Sequence, residues 1–147
     1  MKNSIILKIV LSISGVIAMA IALMIQIDPN HFYLANHIHL HGNINLLSEI
    51  RAPAMALFTY GLVIFLGIFI ARLAFTSTVL STVLYSSYGV GRILGIIFDG
   101  KPTDSLMSAA TIEITLGLIS LICLIKYTDL QSEPDNTNYP FSNTELF

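Results

Sequence analysis

Two opposite charges lie inside long apolar stretches of this sequence, and they are the residues best suited to chemistry. Arg92 lies six residues before Phe98, where one apolar run ends, and Glu113 lies eight residues after Ser105, where the next begins. At about 1.5 Å per residue, these offsets are about 9 and 12 Å along a helix. The hydrocarbon half-thickness of a bilayer is about 15 Å. Both charges therefore fall in the same half of the membrane, and we predict that they meet.

The pair has two interpretations. Either charge alone would cost about 3 kcal/mol of insertion free energy in a membrane helix. Each charge therefore needs an opposite charge beside it or a functional role. A ligand-binding or proton-handling site would use Arg92 as an anion anchor and Glu113 as a proton acceptor. A buried ion pair that only fixes the register of two helices would use the same residues. The sequence leaves both interpretations open.

Polar side chains share the helical face of Arg92. Spacings of four, three, four and seven residues place them on one side of a helix: Ser81, Tyr85, Tyr88, Arg92 and Asp99. Gly91 and Gly95 form a G-x-x-x-G step beside that face, which allows close approach of a neighbouring helix. The tyrosine hydroxyls either bind a ligand or satisfy neighbouring helices.

The start of another apolar run adds an acid and a base. Glu49 and Arg51 are two residues apart, so in a helix they lie on different faces. We expect Glu49 to point inward and Arg51 to stay at the rim. Small residues near Glu113 favour its pointing into a bundle. The candidate polar pocket therefore comprises Glu49, Arg51, Tyr85, Tyr88, Arg92, Asp99 and Glu113.

The histidines suggest a metal site only weakly. His37, His39 and His41 alternate, which in an extended strand puts their imidazoles on one face. Their spacing fits no structural zinc motif, and solvated histidines at the membrane surface explain them better. We therefore predict no metal and, in the absence of a nucleotide loop or nucleophile motif, no cofactor. The single cysteine, Cys123, excludes an internal disulfide.

The elements that must position these residues are membrane helices. Of the 147 residues, 54% are hydrophobic and 11% are charged, against about 25% charged in a typical soluble domain. The apolar runs predict an all-α integral membrane bundle of four antiparallel, up-down helices at about 5–27, 50–71, 76–98 and 105–126. Residues 1–126 form this domain, and residues 127–147 form a polar, disordered tail. The bilayer is the first partner, and the lack of a basic tract excludes nucleic acid.

Two features of the helices bear on their arrangement. The link between the second and third runs is very short, which predicts a tight antiparallel hairpin, with Ser48 as the N-cap of the second helix. The first run is preceded by Lys2 and Lys8 and contains Ala18-Met19-Ala20, so a cleaved signal peptide is an alternative to a retained helix. The run continues past that site to Ile27, which favours retention.

The basic residues predict the orientation of the bundle. With the N-terminus inside, the inner flanks hold Lys2, Lys8, Arg72 and Lys126, and the outer flanks hold Arg51 and Lys101. Short loops rich in Lys and Arg stay in the cytoplasm. We therefore predict that both termini are cytoplasmic and that the charged pair lies in the outer half of the membrane.

Several polar signatures in the apolar segments resemble a known family. They are Asn45-Leu46-Leu47-Ser48-Glu49-Ile50-Arg51-Ala52, Gly91-Arg92-Ile93-Leu94-Gly95 leading to Asp99-Gly100-Lys101-Pro102, and Glu113 with Leu116-Gly117. Together, over about residues 9–126, the chain resembles the bacterial family of small four-helix membrane proteins known as domain of unknown function 4345. This resemblance implies a multi-pass protein of the bacterial cytoplasmic (inner) membrane and carries no activity. A looser similarity in size and layout to DoxX-like membrane proteins implies a redox or quinone-linked role.

Two functions from different classes fit these residues, and whether the chain is an enzyme stays open. A binding or accessory protein would hold a small amphiphile or a partner membrane protein in the polar pocket near the outer face. A membrane enzyme or proton-coupled carrier would act on a lipophilic or quinone-like molecule through Glu113 and Arg92.

Overall fold

The computed structural model describes the backbone of residues 5–132 and the side chains of residues 5–126. Five helices and a 3₁₀ turn at Ala71–Leu73 make up the described chain, which contains no strand. The helices are α1 (Ile5–Ile27), α2 (Pro29–Leu34), α3 (Ile44–Leu66), α4 (Ala74–Asp99) and α5 (Asp104–Ser132).

Four segments are long and apolar enough to cross a membrane: Ile5–Ile27, Ile44–Leu66, Ala71–Asp99 and Asp104–Lys126. Large apolar side chains on their outward faces remain exposed in the isolated chain, for example Ile13, Val83 and Leu118. Such surface is stable in lipid and unstable in water. The chain is therefore a multi-pass membrane protein with an all-α, four-helix architecture.

α3 begins and ends earlier in the sequence than predicted, and its N-cap residue explains the early start. The helix begins at Ile44 instead of about residue 50 and ends at Leu66 instead of 71. The side chain of Asn43 accepts hydrogen bonds from the backbone N–H groups of Asn45 (3.0 Å) and Leu46 (3.2 Å). This cap starts the helix in polar sequence ahead of the apolar run, so Ser48 lies inside the helix and is not its cap.

A short helix that the apolar pattern did not indicate follows α1. The Asp28 side chain accepts a hydrogen bond from the backbone N–H of His31 at 3.0 Å, and Pro29 occupies the first turn. These are favourable N-cap and N1 residues, and they produce the six-residue α2. At the other end of the chain, α5 continues to Ser132, beyond the predicted end at 126. The predicted tail beyond residue 132 lies outside the described residues.

The bundle consists of two closely packed antiparallel pairs, α1 with α3 and α4 with α5. Two glycines allow the backbones of α1 and α3 to approach closely. A Cβ on Gly15 would lie 2.9 Å from the carbonyl oxygen of Gly61, and one on Gly61 would lie 2.9 Å from the backbone nitrogen of Met19. Only glycine permits this backbone approach. The predicted tight hairpin of α3 with α4 is looser than either pair, although its link is short.

The two pairs meet most closely away from the α4–α5 turn. Gly67 at the end of α3 contacts Ser77, whose hydroxyl donates a hydrogen bond to the Val63 carbonyl at 2.7 Å. Further along α4, Leu80 and Leu84 pack on the buried apolar residues of α1 and α3. These contacts align α4 parallel to α1, so the end of α4 and the end of α1 lie at the same end of the bundle. We call this the site end.

Candidate functional site

An ion pair joins α4 and α5 inside the span. The Nε of Arg92 donates to Oε2 of Glu113 at 3.2 Å, as their matched depths predict. Arg92 lies seven residues before the end of α4 and Glu113 nine residues after the start of α5, which is about 10 and 14 Å from the site end. The Glu113 side chain is 14% exposed and that of Arg92 is 34% exposed. The Glu113 side chain is thus largely enclosed, and the Arg92 side chain is partly exposed at the surface of the bundle.

The backbones of α4 and α5 approach closely at the level of this pair. A Cβ on Gly89 would lie 2.9 Å from Cγ1 of Ile114, and a Cβ on Gly117 would lie 3.0 Å from the backbone nitrogen of Ser86. Gly89 is three residues from Arg92, and Ile114 follows Glu113. The glycine contacts therefore fix the register that brings the two charges together.

The ion pair uses only part of the hydrogen-bonding capacity of its members. A guanidinium carries five N–H groups, and a carboxylate has two acceptor oxygens. Within residues 5–126, the Nη groups of Arg92 and Oε1 of Glu113 form no hydrogen bond. The pair therefore presents both donors and an acceptor at one partly exposed position, with a net charge of zero.

Two tyrosines flank the carboxylate. The hydroxyls of Tyr85 and Tyr88 lie within electrostatic range of Glu113. Tyr85 is buried and donates a hydrogen bond to the backbone carbonyl of Ser14 on α1, so it links the two helix pairs. Tyr88 is 41% exposed and lies within electrostatic range of Arg92 and of Tyr33 on α2. Tyr85 is thus a structural neighbour of the pair, and Tyr88 is an accessible one.

On the side of the ion pair away from the site end, buried hydroxyl groups lie between the helices. Ser81 on α4 and Ser120 on α5 are fully buried and hydrogen-bond each other at 2.9 Å. Ser14 is also fully buried, and its hydroxyl has no partner among the described residues. The polar face predicted for α4 is therefore present, and the part of it that contains Ser81 is buried between helices.

The other three predicted pocket residues, Glu49, Arg51 and Asp99, make no contact with the ion pair among the described side chains. Arg51 donates through Nη1 to the Gln26 carbonyl, while Nε2 of Gln26 donates to the Arg51 carbonyl at 2.7 Å. This reciprocal contact joins α1 to α3. Glu49 is exposed instead of pointing inward, and Asp99 is exposed at the last residue of α4. The buried residues of α3, among them Leu57 and Gly61, face α1, and Glu49 lies off that side of the helix.

Sequence reasoning missed three residues that bear on the site. Gln26 accepts a hydrogen bond from Arg51, Ser14 accepts one from Tyr85, and Tyr33 lies within electrostatic range of Tyr88. Gln26 was detectable in principle, because it is the only amide in the first apolar run. The other two depend on how α2 and α4 lie against α1, which a linear pattern does not contain.

The G-x-x-x-G step of α4 lies at the site end but contacts no neighbouring helix. A Cβ on Gly91 or Gly95 would meet no heavy atom within 4 Å. Gly95 is nevertheless half-buried. Space therefore borders α4 beside Arg92, where the sequence predicted close packing.

His37 and His41 lie in turns, so the three alternating histidines do not form the extended strand that a shared face would need. His37 and His41 have φ angles of 62° and 49°, and the rings of His39 and His41 stack at 5.7 Å. Among the residues whose positions are described, no group of three His, Cys, Asp or Glu side chains could hold a metal ion.

Comparison with known proteins identifies a family. The protein-family profile described as "Domain of unknown function (DUF4345)" matches residues 6–124. No curated protein and no solved structure matches the chain. The match spans all four membrane helices and includes the ion pair and both tyrosines.

Proposed function

The chain belongs to the DUF4345 family, and we propose that it is a binding or accessory protein of the bacterial cytoplasmic membrane. Its site would hold a small amphiphile near the outer face, between the lipid and the Arg92–Glu113 pair. Both termini would be cytoplasmic. A partner membrane protein is the other occupant that this class of function allows.

The partly exposed side chain of Arg92 supports this proposal most directly. A pair that served only the fold would be expected to satisfy its polar groups within the bundle, because unpaired polar groups are costly in lipid. Here Glu113 is enclosed, while the remaining N–H groups of Arg92 have no protein acceptor in the described chain. Tyr88 adds an accessible hydroxyl beside them. Together these groups suit the polar head of a molecule that enters from the membrane.

Identification of bound small molecules would test the proposal. The protein would be purified in mild detergent, and extracted ligands would be identified by mass spectrometry. We expect wild-type protein to carry one amphiphile in near-stoichiometric amount. A double variant, Arg92→Met with Glu113→Leu, should lose it. This variant should fold, because replacing both members of a buried pair by apolar residues is often neutral or stabilising.

A second ion pair supplies the matched control. Lys101 and Asp104 form a surface pair at 3.3 Å at the same end of the bundle. The double variant Lys101→Gln with Asp104→Asn removes equal and opposite charges there and should keep the amphiphile. If all three proteins carry the same lipids in the same amounts, the lipids are adventitious and the proposal is wrong.

The enclosed carboxylate of Glu113 favours a second candidate, a proton-coupled carrier or membrane enzyme. A carboxylate inside a membrane helix is a common proton acceptor, and tyrosine hydroxyls lie within electrostatic range of this one. In this alternative, the substrate is lipophilic or quinone-like. Arg92 would position it.

Proton flux into proteoliposomes that contain the dye pyranine would distinguish this candidate from simple binding. A carrier should acidify the lumen under an imposed pH gradient, and Glu113→Gln should abolish the flux while folded protein remains equally abundant. Equal, background flux for wild type and Glu113→Gln would exclude the carrier and leave the binding function.

A further inference from the structure

The charge of the site limits which amphiphile it accepts. Arg92 and Glu113 are already neutralised by each other at 3.2 Å, and the next acid on the same helix face, Asp99, is exposed at the end of α4. An added anion would face Glu113, and an added cation would face Arg92. Either would leave one net charge in a low-dielectric region, which is costly. A neutral molecule adds no such charge.

The polar atoms of Arg92 and Glu113 that do not take part in the ion pair limit the chemistry of the head group further. The Nη groups of Arg92 require acceptors, and Oε1 of Glu113 requires a donor. Tyr88 can serve as either. A head group with carbonyl oxygen and hydroxyl groups meets all three needs, whereas a hydrocarbon or a simple ether does not.

Open space for the head group lies along α4. Gly91 and Gly95 flank Arg92 on the face nearest Tyr88, and a Cβ at either would meet nothing within 4 Å. Gly95 lies one turn nearer the site end than Arg92, so this space is on the side from which a head group enters. It adjoins the ion pair and is open to the membrane, so a head group can lie there against Arg92 while its acyl chain extends deeper into the bilayer along α4.

We propose that the ligand is a neutral single-chain amphiphile whose head carries both carbonyl and hydroxyl groups, the chemistry of a glycerol monoester. This inference rests on the proposed function and adds a rule: the net charge of the residue 92–113 pair selects the charge of the ligand. Neutral heads are bound, and charged heads are rejected as long as the pair is intact.

Three oleyl-chain probes of different charge would test the rule by native mass spectrometry at pH 7. They are monoolein, which is neutral, oleoyl lysophosphatidylglycerol, which is anionic, and oleylamine, which is cationic. Wild-type protein should bind monoolein at least about tenfold more tightly than either charged probe. Glu113→Gln leaves a net positive site and should shift preference to the anion. Arg92→Gln should shift it to the cation.

Two variants keep the test independent of folding. The Lys101→Gln and Asp104→Asn variant should retain the wild-type order, since its charges lie outside the site. Gly95→Leu should weaken binding of monoolein about tenfold, because it places a side chain in the space for the head group, and its Cβ meets no heavy atom within 4 Å.

The outcomes separate the rule from the proposed function. If wild type binds the anionic probe as well as monoolein, and charge substitutions do not reorder the probes, the rule is wrong, although an amphiphile site remains. If none of the probes binds, and no ligand co-purifies, the binding function fails as well. Equal binding to wild type and Gly95→Leu would overturn the placement of the head group.

Discussion

Hydroxyl groups on the buried face of α4 show how a polar surface is accommodated inside a membrane bundle. Every buried residue of α4 except Gly89 carries a hydroxyl group: Ser77, Thr78, Ser81, Thr82 and Tyr85. The two threonines donate to carbonyls one turn earlier, and the other three reach groups on neighbouring helices. Because lipid offers no water, each bond offsets the cost of burying a polar group. The cross-helix bonds also select which helices pack together.

The Ser81–Ser120 bond gives a prediction at this scale. Changing either serine alone to alanine strands the other buried hydroxyl, so each single variant should lose about 1 kcal/mol of unfolding free energy. The double variant should lose no more than either single one, since it leaves no unpaired group. Unfolding by SDS titration from mild detergent micelles would measure these values. Additive losses would show that the two hydroxyls do not interact.

An exposed serine on the same helix provides the control. Ser87 donates to the Val83 carbonyl of its own helix at 2.7 Å and faces outward. Its replacement by alanine should change the unfolding free energy by less than about 0.5 kcal/mol.

At the scale of the helices, the apolar pattern predicted that four long helices exist better than it predicted where they begin and end or which of them pack together. The first helix was expected at 5–27 and occupies Ile5–Ile27, because Asp28 and Pro29 end a continuous apolar run. The start of α3 depends on the side chain of Asn43, and the apolar run does not record caps. Pairing was inferred from loop length, yet the closest contacts occur where glycines face a neighbouring backbone. Loop length limits which helices can meet, whereas side-chain size decides how closely they do.

Two glycines with opposite surroundings test this account of helix pairing. A Cβ on Gly61 would lie 2.9 Å from the Met19 backbone, so Gly61→Ala must push α1 and α3 apart and should cost about 1–3 kcal/mol. Gly95→Ala meets nothing within 4 Å and should raise helix stability by as much as about 1 kcal/mol. SDS unfolding would measure both variants. Equal losses for the two would mean that the glycines do not set the pairing.

At the scale of the whole molecule, position along the helix axis was the property that the sequence predicted best. Arg92 and Glu113 meet because distance from a helix end can be counted along the chain, and antiparallel neighbours share a depth scale. Glu49 and Arg51 do not join the Arg92–Glu113 pair as predicted. Their contacts depend on how α3 is rotated about its axis, and that rotation follows from the contact with α1. Depth predicts which residues share a layer, and packing decides which of them touch.

The orientation of the bundle gives the last prediction, since it decides which side of the membrane the site faces. The inner flanks carry four Lys and Arg residues and the outer flanks two, so we expect the site end to face outward. In a Cys123→Ala background, Asn30→Cys marks the site end and Phe69→Cys marks the opposite turn. Both positions are exposed, and neither substitution alters charge.

An impermeant maleimide should label the cysteine at position 30 in intact bacterial spheroplasts and the one at position 69 only after the membrane is opened. Comparison of the same two variants after permeabilisation controls for intrinsic reactivity. The reverse pattern would place the Arg92–Glu113 pair in the cytoplasmic half of the membrane. An amphiphile would then reach it from the inner leaflet, so the sidedness of labelling also determines to which leaflet a candidate ligand should be supplied.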